Sequence, residues 1–393
     1  MKNNTRILAL ILCFSVVFSC CFSVFSYEAE EIDSAISAGI DYYKTVQKGK
    51  YEEDLGLKGS PFHAMLRAET SMIQQSDYFF MVPIYDISTV GGFKTSEEFA
   101  KAIVICILSG QNPKTAVTGI DMVEKLISLQ KQDGRFMLTN DDGKLEFSLE
   151  GHLWAMIALD LINADYNRSK AINVLSNYRL ENGAFSETAD APSLDLTATA
   201  LMVLSKYTNP KIVEMKTTAV EFLKSVYSDG VFIPQDSGTP NVITQSFCIL
   251  AMIAAGESLW NEPYTTEEFD PVKFLLSAQD ESGGFWYSES IKTAGASGEH
   301  TTAEDFASAV SLCALLDMKN NRSYFLTIGE KFIDATQKEP EKIPDIIVYE
   351  AKYIWIVAGG VLLILSGVVI FGYFISTEKR KGKIKKLKNT LQK

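Results

Sequence analysis

The sequence predicts an all-α fold, a ring of about twelve helices, set between a signal segment and one carboxy-terminal membrane helix. Three observations predict it. An apolar helix, a polar turn and a second apolar helix recur along the middle of the chain. The segments that follow the turns are rich in Ala, Ser and Thr, which lets helices crowd into an inner layer. Two stretches, residues 7–25 and 353–377, carry no charge and stand outside the repeat.

With 393 residues, 47% hydrophobic and 22% charged, the chain can bury a large core and does not read as disordered. Lys2 and Arg6 precede the apolar run Ile7 to Val24. Val24-Phe25-Ser26 then offers the residues a signal peptidase reads, so cleavage is expected after Ser26. An uncleaved anchor is the alternative, because the run is long for a signal; attachment through Cys20 is disfavoured by Phe18. Tyr353 to Thr377 is 25 uncharged residues, which at about 1.5 Å each exceeds a hydrocarbon core of roughly 30 Å. It reads as a transmembrane helix. The basic residues from Lys379 to Lys393 place the tail in the cytoplasm. The expected order is a signal peptide (1–26), an extracellular repeat domain (27–337), a stalk (338–352), the membrane helix (353–377) and a basic cytoplasmic tail (378–393). That is a single-pass protein of the cell membrane with its amino-terminal domain outside.

Setting aside the basic residues of both ends and Glu378, the exported part has 27 Lys and Arg against 48 Asp and Glu, near −21. A phosphate backbone would be repelled, so no nucleic-acid partner is expected, and cationic partners are favoured. Cys13, Cys20 and Cys21 lie in the signal. Cys106, Cys248 and Cys313 are an odd set on apolar stretches, read as buried free thiols rather than a disulfide framework.

The recurring turn is Gly91-Gly92-Phe93, Asp133-Gly134-Arg135-Phe136, Asn182-Gly183-Ala184-Phe185, Asp229-Gly230-Val231-Phe232 and Gly283-Gly284-Phe285-Trp286. Its phenylalanines are 43, 49, 47 and 53 residues apart. Helical spacing flanks it, as in Val123, Leu126, Ile127 and Gln130 before one turn and Leu153, Met156, Ile157 and Ala158 after it. Helices are expected over 33–47, 62–76, 95–109, 116–130, 148–163, 169–179, 194–206, 212–226, 242–255, 268–279, 302–316 and 322–336. Paired alternately they give six inner and six outer helices. A closed ring buries the edges that an open solenoid, the alternative, must cap.

Gln130-Lys131-Gln132-Asp133-Gly134-Arg135-Phe136 and the run from Phe274 to Trp286 resemble the Gln-to-Trp repeat of the terpenoid cyclase and protein prenyltransferase superfamily. The resemblance, to the prenyltransferase and squalene oxidase type of repeat, covers roughly residues 30–337 and implies an (α/α)6 toroid. It gives the turns a structural role: Gly for the reversal, with Phe93, Phe136, Phe185, Phe232, Phe285 and Trp286 as plugs between neighbouring pairs.

The chemistry of such enzymes is missing. Squalene-type cyclases protonate their substrate with an Asp-x-Asp-Asp acid, and the nearest run, Asp141-Asp142 beside Gly143, lies in a polar loop. Protein prenyltransferases hold zinc with Asp-x-Cys and a His. Asp305 and Cys313 are about 12 Å apart in helical rise, too far for ligand bonds of roughly 2 Å, so with His300 they make no zinc set. No metal and no cofactor is expected. Glycan lyases and hydrolases on such a ring need a Tyr/His/Arg set or paired carboxylates, and His63, His152 and His300 have no partner recognisable in sequence. The ring also resembles that of the vitamin B12 carriers, where a small β domain clamps the ligand. Here Lys338 to Pro344 leads straight to the membrane segment, so such a clamp would need a lid from another chain.

One pattern remains. Thr95-Ser96-Glu97, Ser148-Leu149-Glu150, Ser193-Leu194-Asp195 and Thr302-Ala303-Glu304 each set a hydroxyl two residues before an acid where an inner helix begins. As an N-cap and a first-turn carboxylate each is worth about 1 kcal/mol and a few tenths more. Inner helices of a ring all begin at one end, so the same acids would rim one mouth, with His152, Trp154, Gln245 and Phe247 just below. The expected site is therefore Glu97, Glu150, His152, Trp154, Asp195, Gln245 and Glu304, for a cationic or polar ligand, with no catalytic residue. The expected function is a membrane-anchored extracellular module that binds a small molecule or a protein without catalysis, within reach of a neighbouring membrane protein. The alternative is a toroid-class enzyme of prenyl, terpenoid or glycan chemistry.

Overall fold

Short polar side chains start the helices. Thr95 accepts from the Glu98 N–H and Glu98 returns the bond to the Thr95 N–H, a reciprocal cap, while Ser148, Ser193 and Asn241 each accept an N–H of their own first turn. The structure, a computed structural model, describes residues 30–44, 60–70 and 92–328, save 140–142, 189–190, 236, 267 and 295–301. The signal, stalk, membrane helix and tail expected above lie outside these residues. Among the described residues no helix is long and apolar enough to cross a membrane.

The helices are α1 (30–42), α2 (Pro61–Thr70), α3 (Ser96–Leu108), α4 (Met122–Ser128), α5 (Leu149–Leu161), α6 (Arg168–Asn177), α7 (Leu194–Leu204), α8 (Pro210–Ser225), α9 (Val242–Ala254), α10 (Pro271–Ser277), α11 (Glu289–Ala294), α12 (Asp305–Asn320) and α13 (Tyr324–Thr327). Two short antiparallel hairpins accompany the turns: β1 (Met137–Thr139) with β2 (Leu145–Phe147), and β3 (Tyr227–Ser228) with β4 (Val231–Phe232). Each expected helix is present in part. The last is described only as α13, and α11 and the hairpins were not foreseen.

Six helices form an inner layer. α2 packs on α3, α3 on α5, α5 on α7, α7 on α9, α9 on α12, and α12 returns to α2, so the ring is closed rather than an open solenoid. α4, α6, α8 and α10 each pack outside the inner helix next to them in the chain. Among the described residues α2 and α3 are both inner, with no outer helix described between them. The inner helices are apolar around most of their circumference, as in α5, where Gly151 to Leu159 is buried without interruption. The small residues Ala198, Ala200 and Thr197 of α7 are each 0% exposed, which is what close inner packing requires.

The turns lock one repeat to the next. Phe136, Phe185, Phe232 and Phe285 are 0, 0, 1 and 0% exposed. Phe93 departs from the expectation: it is only partly buried and lies edge-on to Phe99 at 5.5 Å. Gly183 has φ +89° and Gly283 φ +88°, and a Cβ would stand 2.3 Å from Thr218 O and 2.0 Å from Ala38 O. Glycine is needed both for the reversal and because the turn presses on the following outer helix. Gly283 docks on α1, which seats the first helix beside the last repeat. The repeat glutamines stitch the same joint: Gln130 Nε2 donates to Gly134 O and Asn167 O while its Oε1 takes the Asn167 N–H, and Gln279 Nε2 donates to Gly283 O and Ala35 O.

Candidate functional site at the ring mouth

Contacts between first turns show that the inner helices run in parallel. Lys101 of α3 reaches Glu150 of α5 at 3.3 Å, the Leu149 N–H of α5 donates to Glu187 just before α7, and His63 of α2 meets Asp305 of α12 at 3.1 Å. Their positive ends therefore open on one mouth, where carboxylates are favoured.

The rim acids lie there in different states. Lys101 Nζ bridges Glu97 and Glu150 and stands 5.3 Å from the centre of the Trp154 ring. Glu150 is half exposed and Asp195 is exposed. Glu304 departs from the expected pattern. It is itself the N-cap residue of α12, makes no side-chain cap, and donates its backbone N–H to Phe285 O at 2.9 Å.

Below the rim the floor is aromatic. Phe62 meets Trp154, Phe247 and Phe306 edge-on, with ring centres 6.1, 5.1 and 5.9 Å away, so side chains of α2, α5, α9 and α12 converge on the ring axis.

His152 and Gln245 do not line this mouth, which corrects their expected place. Each sits at the fourth position after its cap residue and captures the N–H of the preceding turn phenylalanine. Phe136 donates to His152 Nδ1 at 3.3 Å, Phe185 to Thr197 Oγ1 at 2.8 Å, Phe232 to Gln245 Oε1 at 3.0 Å and Phe285 to Ser308 Oγ at 2.8 Å. A buried N–H must find an acceptor, and the helix supplies one at a fixed place in each repeat. His152 is 0% exposed, and burial pushes its pKa down to about 4.

A cluster at the mouth escaped sequence reasoning. Ser60 Oγ lies 2.8 Å from His63 Nδ1, and His63 Nε2 lies 3.1 Å from Asp305 Oδ1. Tyr43 donates its hydroxyl to Asp305 O at 2.7 Å and sets its ring edge-on to the imidazole at 5.9 Å. Cys106, Cys248 and Cys313 are buried free thiols, held protonated by burial, with Cys106 pushed up to about 11. His300 of the considered zinc set lies outside the described residues. Among the described residues no group of three His, Cys, Asp or Glu could hold a metal. Two open clefts of about 790 and 750 Å³ lie on the outer side, beside the Asn182 and Gln132 turns, and no predicted rim residue lines them.

No family model matches the chain, and no curated protein matches its sequence. The fold is similar to the unsaturated glucuronyl hydrolase of Bacillus sp. GL1, responsible for the degradation of glycosaminoglycan. That likeness has a TM-score of 0.54 and 11% identity, over 75% of this chain and 98% of that one. It is similar to the type II terpene cyclase MstE from Scytonema, with a TM-score of 0.52 and 10% identity over 75% of this chain and 99% of that one. The protein geranylgeranyltransferase-I of Candida albicans aligns at 16% identity and a TM-score of 0.42, with 56% of this chain on 66% of that one. The first two likenesses share the architecture, and identities near 10% leave the chemistry open. The chain is an α/α toroid.

Proposed function

We propose that this protein is a membrane-anchored extracellular toroid that binds a cationic or polar ligand at the mouth where its inner helices begin. The observation that carries the reading is Lys101, whose ammonium sits between Glu97 and Glu150 and over Trp154. A mouth that already seats one cation over an aromatic ring has the chemistry to seat another. The anchor rests on the uncharged run Tyr353 to Thr377 and the basic residues after it. The test is a thermal-shift and native mass-spectrometry screen of the full chain in detergent against polyamines, cobalamins, prenyl diphosphates and cell-wall glycans. Polyamines are expected to stabilise it, and Glu150→Gln with Asp195→Asn to weaken the effect. Stabilisation by diphosphates alone, or by nothing, would overturn the reading.

The expectation of no catalysis rests on the missing acid run and zinc set. A second reading, a toroid-class enzyme, has one specific observation behind it: Ser60 Oγ lies 2.8 Å from His63 Nδ1, and Asp305 of another helix stands 3.1 Å from His63 Nε2 without a hydrogen bond between them. The toroid neighbours named above include a hydrolase and a cyclase, which fits this second reading at the level of the fold.

A further inference from the structure

We propose that the open cleft beside the Asn182 turn binds a short basic peptide by its free carboxylate, which Arg179 grips; this site is separate from the ring mouth and goes beyond the function proposed above.

The residue that pairs with each turn phenylalanine holds one place in four repeats. Gln130, Arg179 and Gln279 form single β-bridges with Phe136, Phe185 and Phe285, and Tyr227 pairs with Phe232. Three of these four close the joint by donating to a backbone carbonyl of the next outer segment: Gln130 to Asn167 O at 3.1 Å, Tyr227 to Tyr264 O at 2.6 Å and Gln279 to Ala35 O at 2.9 Å. Arg179 makes no such bond. Its Nη1 reaches Glu214 Oε1 of α8 at 3.5 Å, long for a hydrogen bond, and that carboxylate is 67% exposed. A pair so long and so wet contributes little. Among the described residues neither Nε, which is buried, nor Nη2 has an acceptor. A buried donor left unpaired is costly, and a glutamine at this place would avoid the cost, as Gln130 and Gln279 show.

The joint that Arg179 leaves unstitched is where a cleft of about 790 Å³ lies, inside the roughly 300 to 1,000 Å³ of small-ligand sites. Nε and Nη2 form the edge with which a guanidinium takes a carboxylate in two parallel bonds. The loose Glu214 contact leaves that edge free to turn into the cleft. Tyr178, Leu180 and Pro192 supply an apolar wall, and Phe147 of β2 stacks on Tyr178 with ring centres 4.9 Å apart, which holds the wall in place. Glu181 and Glu187 line the same cleft and are exposed. One guanidinium and two carboxylates together suit a ligand that carries a carboxylate and an ammonium, and they repel a polyanion. A short peptide with a lysine side chain and a free carboxy terminus has both charges, and its other side chains have the apolar wall to rest on.

The test titrates the full chain in detergent with the tripeptide Ala-Lys-Ala, with its carboxy-terminal amide and with glucuronate, by isothermal titration calorimetry. The free acid is expected to bind at least about 10-fold more tightly than the amide, and Arg179→Gln to abolish that difference. Glutamine closes the same joint in two other repeats, so Arg179→Gln should melt no lower than wild type, which separates a lost grip from a lost fold. Glu150→Gln at the ring mouth should leave the affinity for the tripeptide unchanged. No binding of the tripeptide, equal affinity for acid and amide, tighter binding of glucuronate, or a preference that survives Arg179→Gln would each overturn the proposal. Loss of binding in Glu150→Gln with Arg179→Gln unaffected would place the peptide at the mouth and overturn the cleft, whereas failure of the polyamine screen leaves the Arg179 result standing.

Discussion

Phe136 donates its backbone N–H to His152 Nδ1 at 3.3 Å, while Nε2 of the same imidazole lies 3.0 Å from Ala171 O on the next outer helix. Gln245 does both jobs in its own repeat, taking the Phe232 N–H on Oε1 and donating from Nε2 to Pro271 O, each at 3.0 Å. The two side chains are therefore equivalent as joints. His152→Gln is expected to stay within about 1 kcal/mol of wild type, whereas His152→Ala strands a buried N–H and a buried carbonyl and should cost about 2 to 4 kcal/mol. Urea unfolding of the two variants measures the difference, and equal losses would refute the joint.

The same histidine makes stability depend on pH. Burial holds its pKa at about 4 against an ordinary 6.5, so it is neutral in the fold and protonates first in the unfolded chain. Its contribution is complete above pH 6.5 and is lost as the pH falls toward 4. The gap corresponds to about 3 kcal/mol at its full extent. Between pH 7 and 4, wild type should lose that much more stability than His152→Gln. Parallel pH curves for the two proteins would remove His152 as the source.

Phenylalanines of the turn differ in what they fill. Phe185→Ala and Phe285→Ala remove fully buried rings and should cost about 3 to 5 kcal/mol each, whereas Phe93→Ala, partly buried, should cost under about 2. Gly183→Ala combines φ +89° with a methyl 2.3 Å from Thr218 O and should cost at least about 2 kcal/mol. Thermal melts of the four variants give the ranking, and a Phe93→Ala loss as large as that of Phe285→Ala would contradict it.

Much of this ring was legible because its repeat is local. Asp or Asn, Gly and Phe fall within a few residues, and cap, acid and small-residue helix follow in order, so spacing alone located the helices and the buried plugs. Glu97 and Glu150 were legible as neighbours, because their helices pack together and share Lys101. His63 and Asp305 were not, because they meet only where the first and last inner helices close the ring. Periodicity carries no information about that contact. His152 and Gln245 were misplaced for a related reason: helical position predicts height below the mouth, but which way a polar side chain turns was decided by the unpaired N–H of a phenylalanine in the preceding turn.

Asp317 offers a stabilising change. It is 0% exposed on α12, its Oδ1 takes the Tyr324 N–H at 2.9 Å, and its Oδ2 has no hydrogen-bond partner among the described residues. Burial first, and the nearby Glu69 second, push its carboxyl well above the usual range, against the opposing pull of the Tyr324 N–H and Arg322. The fold therefore prefers the protonated acid, so its contribution is present below about pH 4 and is lost as the pH rises through the folded value. Asp317→Asn keeps the acceptor for Tyr324 and removes the ionisation. It should raise the melting temperature at pH 7 and change little at pH 4. His152 titrates over the same interval, but it is common to both proteins and cancels in their difference. A gain of the same size at both pH values would mean that packing, not the buried charge, is what the substitution relieves.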